Sequence, residues 1–280
     1  MVTALPAPDD SRPEAEDRDI EVLSCEYGVP ELDGQYRLRI GKVVKYLTIQ
    51  SGVYTDEDTM CFPRLFVRSL PKLPDDPWTS LEISRDGSGK LHLQTSNEPL
   101  PSAEPWHSNL VDVLSLPKIK TISSKIYETL YQGQPAIAKI ARFPWEMPLL
   151  RMETVVYNDL TVLGEEDGNL PAIMPPFLGH LVENGRVMGM LLGKIEGTYA
   201  GIKDLSICRN IVRRLHDMEI IHGDVNRYNF IVSENGERVV LLDFENAEQF
   251  SEERAREEIE CLERELKEES GRGKKSLAYT

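Results

Sequence analysis

Residues 220–246 constrain the fold of this 280-residue chain more than any other stretch. Ile220 and Ile221 lead into the polar run His222-Gly223-Asp224-Val225-Asn226-Arg227-Tyr228-Asn229. The apolar Phe230-Ile231-Val232 follows, then a polar turn over residues 233–237, then the apolar run 239–242 and Asp243-Phe244-Glu245-Asn246. Short apolar runs bounded by turn residues read as strands, and Asn235-Gly236 is a two-residue hairpin signal. Such a hairpin returns the loop carrying Asp224 and Asn229 to the side of Asp243. Three oxygen-bearing side chains then converge at one end of a small sheet. Carboxylate and amide oxygens are hard ligands that suit Mg²⁺, a cation that keeps some of its waters and shares substrate phosphates.

The spacing of Asp224 and Asn229, followed by Leu242-Asp243-Phe244-Glu245, resembles the catalytic loop and metal-binding acid of the protein-kinase-like fold. His222-Gly223-Asp224 and Asp243-Phe244-Glu245 stand closer to the aminoglycoside/choline phosphotransferase branch and small fungal kinase-like proteins than to ordinary protein kinases. The resemblance implies an α+β, two-lobed kinase-like fold that uses ATP and Mg²⁺. It implies transfer of a γ-phosphoryl group to a hydroxyl acceptor, on a protein Ser/Thr or a small molecule. In that frame Asp224 takes the acceptor's proton, and Asn229 and Asp243 hold the metal. Two other readings stay open: a pseudokinase or interaction module that keeps the fold without transfer, and an unrelated α+β domain whose aspartates cap a buried hairpin.

Upstream, Ala136-Ile137-Ala138-Lys139 is similar to the third-strand motif whose lysine neutralises the α/β-phosphates. A lysine in that role needs an anion to hold it. Glu153, Tyr157 and Leu160 share one helical face at i, i+4 and i+7. Glu153 is the expected partner, since Asp159 falls off that face. The piece Leu192-Gly193-Lys194-Ile195-Glu196-Gly197 resembles the hinge between the lobes, which would turn backbone groups of Gly193 and Ile195 toward adenine. The turn Ser123-Ser124-Lys125 lacks the glycines that let backbone N–H groups approach phosphate closely.

The chain divides into five expected segments. Residues 1–19, rich in Pro, Asp and Glu, read as a disordered acidic tail. Residues 20–96 read as a small β-rich region. Tyr36, Leu38 and Ile40 alternate there with Arg37 and Arg39, and Asp86-Gly87-Ser88-Gly89 marks a hairpin. Phe62, Leu65, Phe66 and Val67 suggest a further strand over residues 61–70. A proline-rich linker (97–108) precedes a sheet-based N-lobe (109–196) and a minimal C-lobe (197–280). The C-lobe holds an amphipathic helix over 204–217 and a last helix capped by Ser251. Ala255, Ile259, Leu262 and Leu266 stripe that helix, and a basic tail follows. His216 and His222 read as structural histidines. A C-lobe this short is similar to the minimal kinases of the RIO type and of the tRNA-threonylcarbamoylation complex, and implies either a protein partner that completes the substrate platform or a different class of acceptor.

Composition excludes some classes. A net charge of −15 disfavours a nucleic-acid surface or binding to an anionic membrane. Cys25, Cys61, Cys208 and Cys261 are scattered and read as free buried thiols. The first ten residues have no signal-peptide pattern, and no apolar run approaches the roughly 20 residues of a spanning helix. A cytoplasmic location is the expectation.

Overall fold

The computed structural model describes residues 19–27, 32–54, 56–167 and 173–274. The expected acidic tail over residues 1–18 and the end of the basic tail, residues 275–280, lie outside these. The chain forms two compact units, Met1–Leu100 and Pro101–Thr280.

The first unit is a five-stranded sheet in the order β1-β2-β3-β4-β5. Its strands are β1 (Ile20–Glu26), β2 (Gly34–Ile40), β3 (Val43–Ile49), β4 (Ser80–Arg85) and β5 (Leu91–Ser96). Neighbours pair antiparallel except β3 and β4, which are parallel. A parallel pair needs a crossover, and the crossover contains two short helices, α1 (Glu57–Cys61) and α2 (Pro63–Ser69). The strand expected over residues 61–70 is therefore helical. Pro63 sits at the first helical position, where its missing N–H costs nothing. Phe66 is the buried residue of α2, while Phe62 and Leu65 face outward, so the run buries one residue per helical turn rather than every second one. The Phe66 ring stacks on Tyr36 at 3.7 Å. Arg37, expected on the solvent side of β2, is also buried, at 2% exposure. Asp86 closes the β4–β5 turn by accepting from Ser88 N–H and Lys90 N–H.

The second unit has a sheet lobe and a lobe built around two helices. The sheet strands are β6 (Leu110–Asp112), β7 (Lys120–Thr121), β8 (Ile126–Tyr131) and β9 (Gln134–Ile140). After helix α3 (Met147–Asp167) come β10 (Phe177–Glu183) and β11 (Arg186–Gly193). Their spatial order is β6-β10-β11-β9-β8-β7. Both inner hairpins turn through two left-handed residues, Gln132-Gly133 and Asn184-Gly185. That conformation matches the twist of the flanking strands. Alternation along β9 sends Ala136, Ala138 and Ile140 into a core on one face. Ile137 and Ala141 turn to the other face, where the main core collects α3 and the second lobe. Lys139 belongs to this second set by parity.

The second lobe contains β12 (Thr198–Tyr199), α4 (Leu205–Asp217), β13 (Ile220–Ile221), β14 (Phe230–Val232), β15 (Val239–Leu241), β16 (Glu248–Gln249) and α5 (Glu252–Lys267). Helix α4 buries Cys208, Ile211, Val212, Leu215 and His216. Helix α5 is capped by the Ser251 hydroxyl, which accepts from Arg254 N–H at 3.3 Å. Its buried face carries Leu262 and Leu266, but also Glu258 and Glu265. The β14–β15 connection is wider than the two-residue turn expected at Asn235-Gly236. Ser233 N–H donates to Arg238 O at 2.9 Å, enclosing residues 234–237. All four cysteines are free thiols, of which only Cys208 is fully buried. Among the described residues no helix is long and apolar enough to cross a membrane.

Phe66 tests the helical reading of the crossover. Phe66→Ala deletes a fully buried ring and is expected to destabilise the first unit by about 3–5 kcal/mol. Urea unfolding followed by hydrogen exchange at the β2 amides checks this. A strand with Phe66 on its surface would tolerate the change.

Candidate active site

The lysine expected from the strand pattern lies in the interior, surrounded by carboxylates. Its Nζ is 2.5 Å from Glu153 Oε2, 2.6 Å from Asp243 Oδ1 and 3.1 Å from Glu245 Oε1. Three elements supply these groups. Strand β9 holds Lys139, α3 carries Glu153, and the turn after β15 brings Asp243 and Glu245. The Phe244 N–H also donates to Glu153 Oε1 at 3.4 Å, which joins α3 to that turn. Asp243 has left-handed backbone (φ +67°), a region that aspartate tolerates better than bulkier residues.

One ammonium cannot neutralise three carboxylates. Burial would lower the Lys139 pKa, but Glu153, Asp243 and Glu245 together raise it, so the lysine stays charged. Glu153 is pushed up, first by burial and then by Asp243 and Glu245, against the pull of Lys139. Burial is the larger influence on Glu153, and the nearby carboxylates raise both groups. One oxygen from each of Glu153, Asp243 and Glu245 lies within 4.8 Å of the others. An all-oxygen donor set with excess negative charge suits a hard divalent cation.

The sequence reading named Lys139, Glu153 and Asp243 and missed the role of Glu245. The signal was available. Glu245 lies two residues after Asp243, and the left-handed turn at Asp243 brings both side chains to the lysine.

The loop at residues 222–229 sits beside this cluster. Leu242 N–H donates to Asn229 O at 2.8 Å, and His222 Nε2 lies 3.0 Å from Leu242 O. The loop and the Asp243 turn are thus bonded from both sides. His222 is fully buried, and burial lowers its pKa. It serves as a neutral brace: Nε2–H donates to Leu242 O, and Nδ1 accepts from Asp224 N–H at 3.3 Å. This agrees with its reading as a structural histidine. Asp224 Oδ2 accepts from Asn226 Nδ2 at 2.9 Å and from Asn229 Nδ2 at 3.1 Å. Asn229 Nδ2 also donates to Asp224 O at 2.9 Å. The amide nitrogen of Asn229 is therefore spent on Asp224, leaving its oxygen as the only side-chain atom it could offer to a metal.

A second carboxylate holds the loop from below, and the sequence reading missed it. Glu258 on α5 accepts from Gly223 N–H at 2.5 Å and His222 N–H at 3.3 Å, and pairs with His216 Nε2 at 2.8 Å. An acidic residue on a helix with many acids reads as solvated. Only the burial of Leu262, one turn on, shows that Glu258 shares its face. Burial pushes the Glu258 carboxyl up, but the bonds from His216, Gly223 and His222 outweigh it and hold the pKa below its ordinary 4.5. Gly223 itself has φ +81°, and a Cβ there would meet Asn246 O at 1.9 Å. Glycine is thus required in the middle of His222-Gly223-Asp224.

The aromatic rings form a continuous column behind the site. His222 lies 5.2 Å from Phe244, Phe244 5.8 Å from Tyr157, and Tyr157 5.8 Å from Phe177. Tyr157 follows Glu153 by one turn of α3, so the helix that positions the carboxylate also packs this column.

The positions expected to face a nucleotide base and phosphate are less open. Gly193 N–H already donates to Pro176 O at 2.8 Å, so it has no hydrogen left for adenine. Ile195 lies half-buried beyond the end of β11. The β7–β8 turn is closed on itself, with Ser123 N–H donating to Ile126 O and Lys125 N–H to Ser123 Oγ.

Residues 193–268 match the RIO domain, a kinase-like, ATP-binding phosphotransferase family. The matched stretch covers the Asp224 loop, Asp243, Glu245 and Glu258, and ends before the tail. Together with the two-lobed architecture, it supports a kinase-like fold for the second unit. No curated protein matches the chain.

Glu258 makes the site sensitive to acid. Its folded pKa is depressed, so its contribution is complete above its ordinary value and is lost as pH falls through the lower folded value. Wild type should lose exchange protection at Gly223 as pH drops below about 4.5, while Glu258→Gln should show weaker protection that changes little over the same range. Equal acid profiles for the two proteins would remove Glu258 from this role. Gly223→Ala should cost more than the roughly 1 kcal/mol of a typical point substitution, because the clash is with backbone. Thermal unfolding checks it.

Proposed function

We propose that the second unit is an ATP-dependent phosphotransferase. The observation that carries this reading is the cluster of Lys139 with Glu153, Asp243 and Glu245, set beside a loop in which two amides orient Asp224. The likeness of His222-Gly223-Asp224 and Asp243-Phe244-Glu245 to aminoglycoside and choline phosphotransferases is the finer part of the same proposal. So is the division into an N-lobe over 109–196 and a C-lobe over 197–280.

In this mechanism Asp224 is the base. Its Oδ2 is held by Asn226 and Asn229, which leaves Oδ1 to accept the proton of the acceptor hydroxyl. The hydroxyl oxygen attacks the γ-phosphorus, the bond from that phosphorus to the bridging oxygen breaks, and ADP leaves. Lys139 offsets the charge of the α/β-phosphates, and Glu153 keeps the lysine in place. Asp243, Glu245 and the side-chain oxygen of Asn229 would hold Mg²⁺. The cation, when bound, supplies positive charge against the phosphate oxygens. The acceptor is a hydroxyl on a protein or a small molecule, and a protein partner docks on the short C-lobe.

The second reading is a pseudokinase or interaction module. Two observations favour it: Gly193 N–H is spent on Pro176, and the β7–β8 turn bonds to itself. Both remove backbone donors that nucleotide binding would use.

Calorimetric titration with ATP, with and without Mg²⁺, distinguishes the two. Wild type should bind only with Mg²⁺, and Asp243→Ala should abolish binding with the fold intact. Asp224→Ala should retain binding and lose turnover by about 10²–10⁴-fold, the range for a removed general base. Absence of binding to a folded wild type would leave the interaction module as the better reading.

A further inference from the structure

We infer that the strap formed by residues 101–107, through Trp106, positions Glu153 against Lys139. This rests on the phosphotransferase reading for its consequence and on packing for its argument. The strap has no regular secondary structure, yet it is bonded on two sides. Toward the sheet, Ala103 N–H donates to Val187 O at 3.1 Å, and Arg186 Nη1 donates to Pro101 O at 3.0 Å. Val187 N–H donates to Ser102 Oγ at 3.0 Å. The N–H groups of Trp106 and His107 both donate to His180 Nε2, at 3.1 and 3.2 Å. That imidazole is fully buried, and burial, with the nearby His107, lowers its pKa to about 4. A neutral ring is what two N–H donors on one nitrogen require.

Toward the helix, the strap is tied by Arg151. Its Nε and Nη2 donate to Ser102 O at 3.1 and 2.7 Å. Arg151 lies two residues before Glu153 on α3. The Trp106 ring packs 4.4 Å from Phe177, and Phe177 lies 5.8 Å from Tyr157, one turn after Glu153. The strap therefore contacts α3 directly at Arg151 and reaches Tyr157, one turn after Glu153, through the Phe177 ring of β10. It also grips β10 and β11, and β11 is paired to the strand of Lys139 through Met190. The sheet carries the ammonium, the helix carries its carboxylate, and the strap bridges the two. A shift of α3 by about an ångström would lengthen the 2.5 Å Lys139–Glu153 pair, and displacements of that size cost catalytic groups about 10²-fold. Trp106 and Arg151 are positioning residues in this account. Neither touches a reacting atom.

The experiment uses the full chain and three variants, Trp106→Ala, Trp106→Phe and Arg151→Ala. Lys139 is followed by acylation with acetic anhydride and mass spectrometry, α3 by hydrogen exchange, overall stability by urea, and nucleotide affinity by calorimetry with Mg-ATP. In wild type, Lys139 should resist acylation. Trp106→Ala should make it reactive, speed exchange in α3 around Glu153 and weaken Mg-ATP binding by about tenfold or more. Trp106→Phe should restore much of each, and Arg151→Ala should shift each in the same direction by less. If Trp106→Ala lowers stability while Lys139 stays protected and affinity is unchanged, Trp106 is ordinary core packing and the inference is overturned. If that variant does not fold, Arg151→Ala decides, and unchanged Lys139 acylation there overturns it equally. A wild type that binds no Mg-ATP would sink the phosphotransferase reading alone, because acylation and exchange still report on the strap.

Discussion

A single buried ammonium shared by three carboxylates governs the second unit. Taking charges out of water is costly, and an uncompensated one costs most. Lys139 lies within 2.5–3.1 Å of all three carboxylates, and rigid surroundings hold them together. The sheet fixes the lysine, α3 fixes Glu153, and a left-handed backbone turn fixes Asp243 and Glu245. No one of these elements could hold the arrangement alone. The lysine and Asp243 are 104 residues apart in sequence, so their meeting depends on the whole unit. Such an imbalance makes a cluster poor as a structural ion pair and well suited to receive added positive charge.

The second lobe does much with few elements. Helix α4 packs beneath the loop with Cys208, Ile211, Val212 and Leu215, and supplies His216. Helix α5 seals the same core with Leu262 and Leu266 and sends Glu258 into the loop's backbone. Larger kinase-like lobes spread such tasks over more helices. Here each helix both fills the core and braces the loop, so a packing change in either one is also a change at Asp224.

Much of this was legible from residues. The apolar runs at 230–232 and 239–242 and the alternation along residues 136–141 named the strands. The i, i+4 relation of Glu153 and Tyr157 named the lysine's partner. What stayed hidden has physical reasons. Residues 61–70 read as a strand because the run is rich in aromatic and branched aliphatic side chains; the i, i+3, i+4 spacing of Phe62, Leu65 and Phe66 fits a helix, and alternation places only two of the four together. Glu258 and Glu265 were invisible because acids on an acidic helix look solvated, and the helical pattern does not announce Glu258's bonds to His216 and the loop N–H groups or Glu265's pairs with Arg264 and Arg272. Glu245 was quoted as part of a motif, but its contact with Lys139 depends on the positive φ at Asp243, which residue type alone does not announce. The hydrogen bond from Gly193 to Pro176 was hidden because it depends on how the chain enters β10.

The bond from Glu258 to Gly223 spans 35 residues and reaches back from the last helix. Domains emerge from the ribosome N-terminal end first. The sheet lobe, with Lys139 and Glu153, can therefore form while the chain is still being made. The loop carrying Asp224 must wait for α5 to leave the exit tunnel. A chain without α5 would lack the carboxylate that holds the Gly223 and His222 N–H groups. Order at the Asp224 loop thus depends on a helix made after it.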